Sequence, residues 1–285
     1  MTKIDEFESL FKSASKPVFQ PEPIRIQRVA IVVDQTLDSC AAYVERIEQF
    51  LKVLNSVDNI AEVKQIAGDQ FGNVSELLDL VNDHDSQLIC TYRNLHGVAD
   101  DLPYSLGEYV DVLTQATKVP ILLLPGPGDV GENGLRNTDK VMVMTDHLAG
   151  DSRLVTYGAI FTQDHGELIL GHVEDEQTFE RYLQVISKIP SIDTEGARQE
   201  ILQQLLKEPN DYVGSCKSGL EEAGLPLSVK AAVSMGHHLT DYKQLVQEYQ
   251  ADLLVMNTKD DDQLAMHGLA YPVSVELREV PLLLI

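Results

Sequence analysis

Two tandem, doubly wound parallel-sheet α/β domains are predicted for this chain, on three observations. The same series of strand and helix patterns occurs twice in the same order, short uniformly apolar runs alternate with amphipathic stretches, and a glycine- and proline-rich segment separates the two series. Alternating buried strands and helices imply a parallel sheet covered on both faces. A repeated order of elements implies an internal duplication. The length of 285 residues also suits two cores, because a single hydrophobic core rarely grows beyond about 250 to 300 residues.

Residues 1–23 read as an N-terminal arm. Ile4, Phe7, Leu10 and Phe11 recur at helical spacing, and Pro17, Pro21 and Pro23 then exclude regular structure before the first strand. This arm is expected to pack on a domain or on a partner subunit. The first domain, residues 24–125, opens with an apolar run at residues 29–33 that closes on Asp34. Asp38 is placed to cap the next helix, whose stripe is Cys40, Val44, Ile47, Leu51 and Leu54. Val74, Leu77, Leu78 and Val81 mark a second helix, followed by the strand QLICTYR and, later, by KVPILLLP.

Residues 126–137 are the linker, with Gly126, Gly128, Gly131, Gly134 and Pro127 directly after Pro125. The second domain, residues 138–285, repeats the series. A run at residues 141–144 leads to Asp146, Tyr242, Leu245, Val246 and Tyr249 form a helix face, and DLLVMNTK and EVPLLLI supply the later strands. This domain also carries an insertion, residues 176–212, with two predicted helices on either side of Pro190. Phe179, Leu183 and Ile186 mark one apolar face, and Ile201, Leu202 and Leu205 mark the other. The insertion is expected to pack on the domain surface or to cover a crevice as a lid.

Twenty-two Lys plus Arg stand against 45 Asp plus Glu, a net charge of -23. Such a surface repels phosphate backbones and anionic lipid, so no nucleic acid partner and no membrane insertion are expected. Cys40, Cys90 and Cys216 are an odd set without metal-type spacing, which fits a cytoplasmic location. The N-terminus does not read as a signal peptide, and no stretch approaches the ~20 apolar residues of a membrane span.

The order of strand ending in Asp, helix, strand ending in HVEDE, crossover, SVKAAVSMG, helix, ADLLVMNT and VPLLLI resembles the universal stress protein family. The resemblance spans both repeats and implies an adenine nucleotide alpha hydrolase-like fold. ATP-binding members carry G-x-x-G-x9-G-[ST] after the fourth strand. Here the first repeat reads N-x-x-G-x9-G-E, with Asn94, Gly97, Gly107 and Glu108 in those places. In the second repeat Gly268 and Leu269 take the final positions, and residues 259–267 contain no glycine. The family motif works by letting backbone N–H groups and a hydroxyl approach phosphate at a helix start. A carboxylate about 4 Å from a phosphate charge costs ~1 kcal/mol in water and ~4 kcal/mol at an effective dielectric near 20. The resemblance therefore implies ATP as at most a weak cofactor, with Asp34 and Asp146 in the place of the family's acidic residue near adenine and ribose.

Six of the eight histidines fall in the second repeat, namely His147, His165, His172, His237, His238 and His267. Side chains at the carboxyl ends of parallel strands converge on one crevice. Asp146, His172, His237, Asn257 and Gly268 are therefore candidates for a ligand pocket. His147, His172, His237, His238 and Glu174 are candidate metal ligands, which Asp146, Asp175 and Asp260 could join. No nucleophile signature is present, and no catalytic residue is assigned. The expected role is non-enzymatic, a stress-related regulatory protein that senses a small ligand in its second domain. A metal-assisted or nucleotide-related hydrolase at the histidine-rich edge and an interaction scaffold are the alternatives. The two final strands are almost wholly apolar and are expected to bury each other as an internal pseudo-dimer, leaving any homodimer to another surface.

Overall fold

The computed structural model describes residues 17–56, 60–97, 104–128, 135, 137–145, 148–258, 266 and 269–285. In chain order the elements are β1 (Arg28–Val32), α1 (Leu37–Phe50), β2 (Glu62–Ile66), α2 (Val74–Asp83), β3 (Leu88–Tyr92), α3 (Glu108–Ala116) and β4 (Ile121–Leu124). Then follow β5 (Lys140–Met144), α4 (Ser152–Phe161), β6 (Glu167–Asp175), α5 (Glu176–Ile186), α6 (Thr194–Glu222), β7 (Ser228–Gly236), α7 (His238–Tyr249), β8 (Leu253–Met256), α8 (Ala270–Glu276) and β9 (Leu282–Leu284).

Among the described residues all nine strands form one sheet, in the order β2-β1-β3-β4-β9-β8-β5-β6-β7. Every neighbouring pair is parallel except β4 and β9, which run antiparallel with Ile121 opposite Leu284 and Leu123 opposite Leu282. Reading outward from that seam, β4, β3, β1 and β2 lie on one side and β9, β8, β5, β6 and β7 on the other. The C-terminal half-sheet thus carries one strand more, β7, reached through α5 and α6. Both faces of the central strands are covered, which explains their uniform apolarity. The buried side chains of both halves form one continuous core.

Arg93, just past β3, ties the halves together on the helical layer. Its guanidinium donates to the carbonyl of Ser274 at 2.8 and 2.9 Å and to that of Leu277 at 2.8 Å. These carbonyls end α8, where a cation meets the negative pole of the helix. The described part of the arm crosses to the C-terminal half as well. Phe19 is buried, and the backbone N–H groups of Phe19, Gln20 and Glu22 donate to the hydroxyls of Ser215, Ser152 and Thr156. Ile4, Phe7, Leu10 and Phe11 lie outside the described residues.

Two expectations change. Asp38 does not cap α1: the N-cap position falls on Thr36, which makes no side-chain cap bond, and Asp38 sits in the first turn. There it acts only through its charge at the positive helix end. The second inserted helix does not stop near residue 212. α6 is 29 residues long and runs through Pro209 to Glu222. Tyr212, Val213, Cys216 and Leu220 are buried on its inner face, and that packing holds the helix together across a residue of poor helix propensity. Pro190 falls in the turn between α5 and α6, whose starts are capped by Asp175 and Asp193.

The three cysteines are buried and unpaired. Burial pushes the Cys216 thiol up to about 12 and raises those of Cys40 and Cys90 as well, so none supplies a ready thiolate. Among the described residues no helix is long and apolar enough to cross a membrane.

Candidate functional site

Asp34 follows the end of β1, at the carboxyl edge of the N-terminal half-sheet. Its carboxylate is already engaged from within the chain. The Tyr92 hydroxyl donates to Oδ1, and the backbone N–H of His96 donates to Oδ2 at 3.1 Å. Tyr92 in turn accepts from the Asp34 N–H at 3.1 Å. Burial first, and then the carboxylate that takes its hydrogen, push the Tyr92 phenol well above its ordinary value, so it stays a donor. Tyr43 holds the ring from the side, edge-on at 5.6 Å.

Asn94 follows β3 in the left-handed region, φ 57°, and is 6% exposed. Its carbonyl accepts from the Gly97 N–H at 2.9 Å, and its own N–H donates to the Leu106 carbonyl at 2.9 Å. Gly107 has φ 89° and ψ 154°, and a Cβ there would lie 2.8 Å from the Asn94 Cα. Close backbone packing therefore accounts for this glycine. Glu108 opens α3 and Asp111 shares its first turn, so two carboxylates already face the positive helix end. Burial raises the Asp111 carboxyl above its ordinary value. Asn94 Oδ1 and Asp111 Oδ1 are buried acceptors without a hydrogen-bond partner, although the Asp111 carboxylate also takes a hydrogen bond from the Ser105 side chain. A phosphate would bring further acceptors where donors are wanted.

On the other side of the seam, β6 carries His172 and Glu174 two residues apart, hence on one face. His172 is buried, with Nε2 at 3.1 Å from Glu174 Oε2 and Nδ1 at 3.4 Å from the Thr145 carbonyl. Both ring nitrogens face acceptor oxygens. A neutral imidazole can donate to one of them and an imidazolium to both. The Tyr242 hydroxyl, from α7, also donates to the Thr145 carbonyl at 3.1 Å, so α7 and β6 fix the same loop.

A cavity of about 660 Å³ opens beside this pair. His172, Val173, Glu174 and Asp175 form its β6 wall, Leu148 and Ala149 come from the segment after β5, Thr178 from α5, and Leu205, Glu208 and Pro209 from α6. The inserted helices thus wall the cavity. Glu208 and Pro209 were not among the predicted site residues.

His237 and Asn257 do not line this cavity. The His237 side chain is 60% exposed, with Nε2 at 3.8 Å from Glu176 Oε2, and its N–H donates to Asp241 at the start of α7. Asn257 donates to Asp151 Oδ2 at 2.5 Å, and Asp151 caps α4 through the Leu154 N–H. Asn257 lines a smaller space of about 190 Å³ with Lys118 and Arg153. Asp146, His147, Lys259, Asp260, His267 and Gly268 lie outside the described residues, as does the side chain of His238. Of the candidate metal ligands, the described side chains bring His172 and Glu174 together. Among the described residues no three His, Cys, Asp or Glu side chains are grouped to hold a metal ion.

No family model matches the chain, and no curated protein does. Several solved structures are similar to it. A putative universal stress protein from Pseudomonas aeruginosa UCBPP-PA14 has 12% identity and a TM-score of 0.49, over 91% of this chain and 93% of that one. A universal stress protein from Archaeoglobus fulgidus DSM 4304 has 14% identity and a TM-score of 0.44, over 91% of this chain and 85% of that one. The hypothetical protein MJ0577 has 20% identity and a TM-score of 0.41, over 53% of this chain and 96% of its own length. Likenesses at these values assign no function.

Proposed function

We propose that this chain is a non-enzymatic regulatory protein of the universal stress type, built as two tandem domains that form an internal pseudo-dimer. Its second domain binds a small ligand in the cavity beside His172, and its first domain does not bind ATP tightly. The contrast between the two crevices carries this reading. The carboxylate of Asp34 is closed off by Tyr92 and His96, whereas the pair His172 and Glu174 stands on the wall of a 660 Å³ space. Small-molecule sites span about 300 to 1,000 Å³. A reducing cytoplasm suits three buried, unpaired thiols.

Titration calorimetry with magnesium and ATP tests the first half of this reading. The carboxylate of Glu108 and the unpartnered acceptors of Asn94 and Asp111 are expected to weaken ATP by roughly tenfold to a thousandfold relative to an intact glycine motif. No micromolar binding is expected, and Glu108→Ser alone is not expected to restore it, because Asp34 remains engaged. Tight, magnesium-dependent binding that Gly97→Ala removes would overturn the reading.

A further inference from the structure

The lining of the 660 Å³ cavity is acidic. Its ionisable groups are His172, Glu174, Asp175 and Glu208, and the described lining contains no lysine or arginine. Glu174 is paired with His172, and Asp175 is turned to the Thr178 N–H at the start of α5. Glu208 has no ion-pair partner among the described residues.

Pro209 interrupts the helical hydrogen bonding beside the same wall. It lies inside α6 and has no N–H, so the carbonyl of Leu205, four residues earlier, lacks its helical donor. Leu205 and Pro209 both line the cavity. A helix-interior proline is costly, and here the cost falls where the helix meets the cavity.

An anion would meet three carboxylates on a chain of net charge -23, and the donors at the start of α5 are already answered by Asp175. A bare metal ion does not match either. No group of three ligating side chains is present among the described residues, and the space far exceeds one ion. Leu148 and Val173 give the cavity an apolar side.

We propose that this cavity takes a small organic cation, an amine or amidine bearing an apolar group. Its charged head pairs with Glu208, and its body lies on Leu148 and Val173. This assignment rests on the reading of the cavity as a ligand site.

Fluorine NMR on the full chain tests it, with a set of fluorinated aromatic fragments matched in size and carrying an ammonium or amidinium, a neutral or a carboxylate group. Cationic fragments are expected to bind about tenfold tighter than their neutral counterparts, the usual worth of a charge-assisted contact. Ala149→Trp, which fills the space, should abolish that binding, and Glu208→Gln, at an exposed position, should remove most of the charge preference. Carboxylate fragments binding as tightly as ammonium ones, still lost in Ala149→Trp, would overturn the cation assignment and leave the cavity as a site. A charge preference unchanged by Glu208→Gln would overturn the role given to that residue. Binding indifferent to Ala149→Trp, or no binding in any class, would overturn both the assignment and the reading it rests on.

Discussion

Leu123→Asp is expected to unfold the protein or to part its sheet at the seam, lowering stability by about 4 kcal/mol or more. Leu123 is fully buried, opposite Leu282, in the antiparallel pair between β4 and β9. A carboxylate there is buried in an apolar ladder, and among the described residues these two short strands carry the strand pairing that joins the half-sheets. Each also covers an apolar edge that would otherwise template aggregation. Urea denaturation followed by hydrogen exchange at residues 121–124 and 282–284 measures the effect. A variant within about 1 kcal/mol of the wild type, the ordinary range of a surface change, would contradict burial at the seam.

Gly107→Ala is expected to cost about 3 kcal/mol. Its φ of 89° and ψ of 154° fall in a region that is essentially restricted to glycine, worth about 1 to 3 kcal/mol. The added Cβ also meets the backbone of Asn94 at 2.8 Å, an overpacking penalty of about 1 to 3 kcal/mol. A phosphate-binding glycine would show a different profile, with near-normal stability and lost nucleotide affinity. Thermal denaturation paired with ATP titration separates the two. Stability retained together with loss of measurable ATP binding would refute the packing role.

Much of the fold is legible in the sequence because parallel strands buried on both faces read as unbroken apolar runs. Residues 29–33, 121–124 and 253–256 all carry that signature. The strand-end position of Asp34 follows from the same pattern. The site is less legible, because patterns place residues on elements but do not fix how far each strand runs. β6 and β7 are nine residues each, paired from Glu167 with Ser228 to Asp175 with Gly236. His172 therefore lies within the ladder, opposite Val233, while His237 begins a helix beyond it. An expectation built on strand ends merges these two positions. Glu208 escaped notice for a different reason. Its place on the cavity wall depends on α6 continuing through Pro209, which local propensity opposes and the packing of Tyr212, Val213 and Cys216 overrides.

Native mass spectrometry of protein purified without added ligand decides between the two crevices. One equivalent of a small organic molecule per chain is expected, lost in Ala149→Trp and kept in Gly97→Ala. A nucleotide mass that disappears with Gly97→Ala and is indifferent to Ala149→Trp would place binding beside Asp34 instead and contradict the function proposed for the cavity at His172.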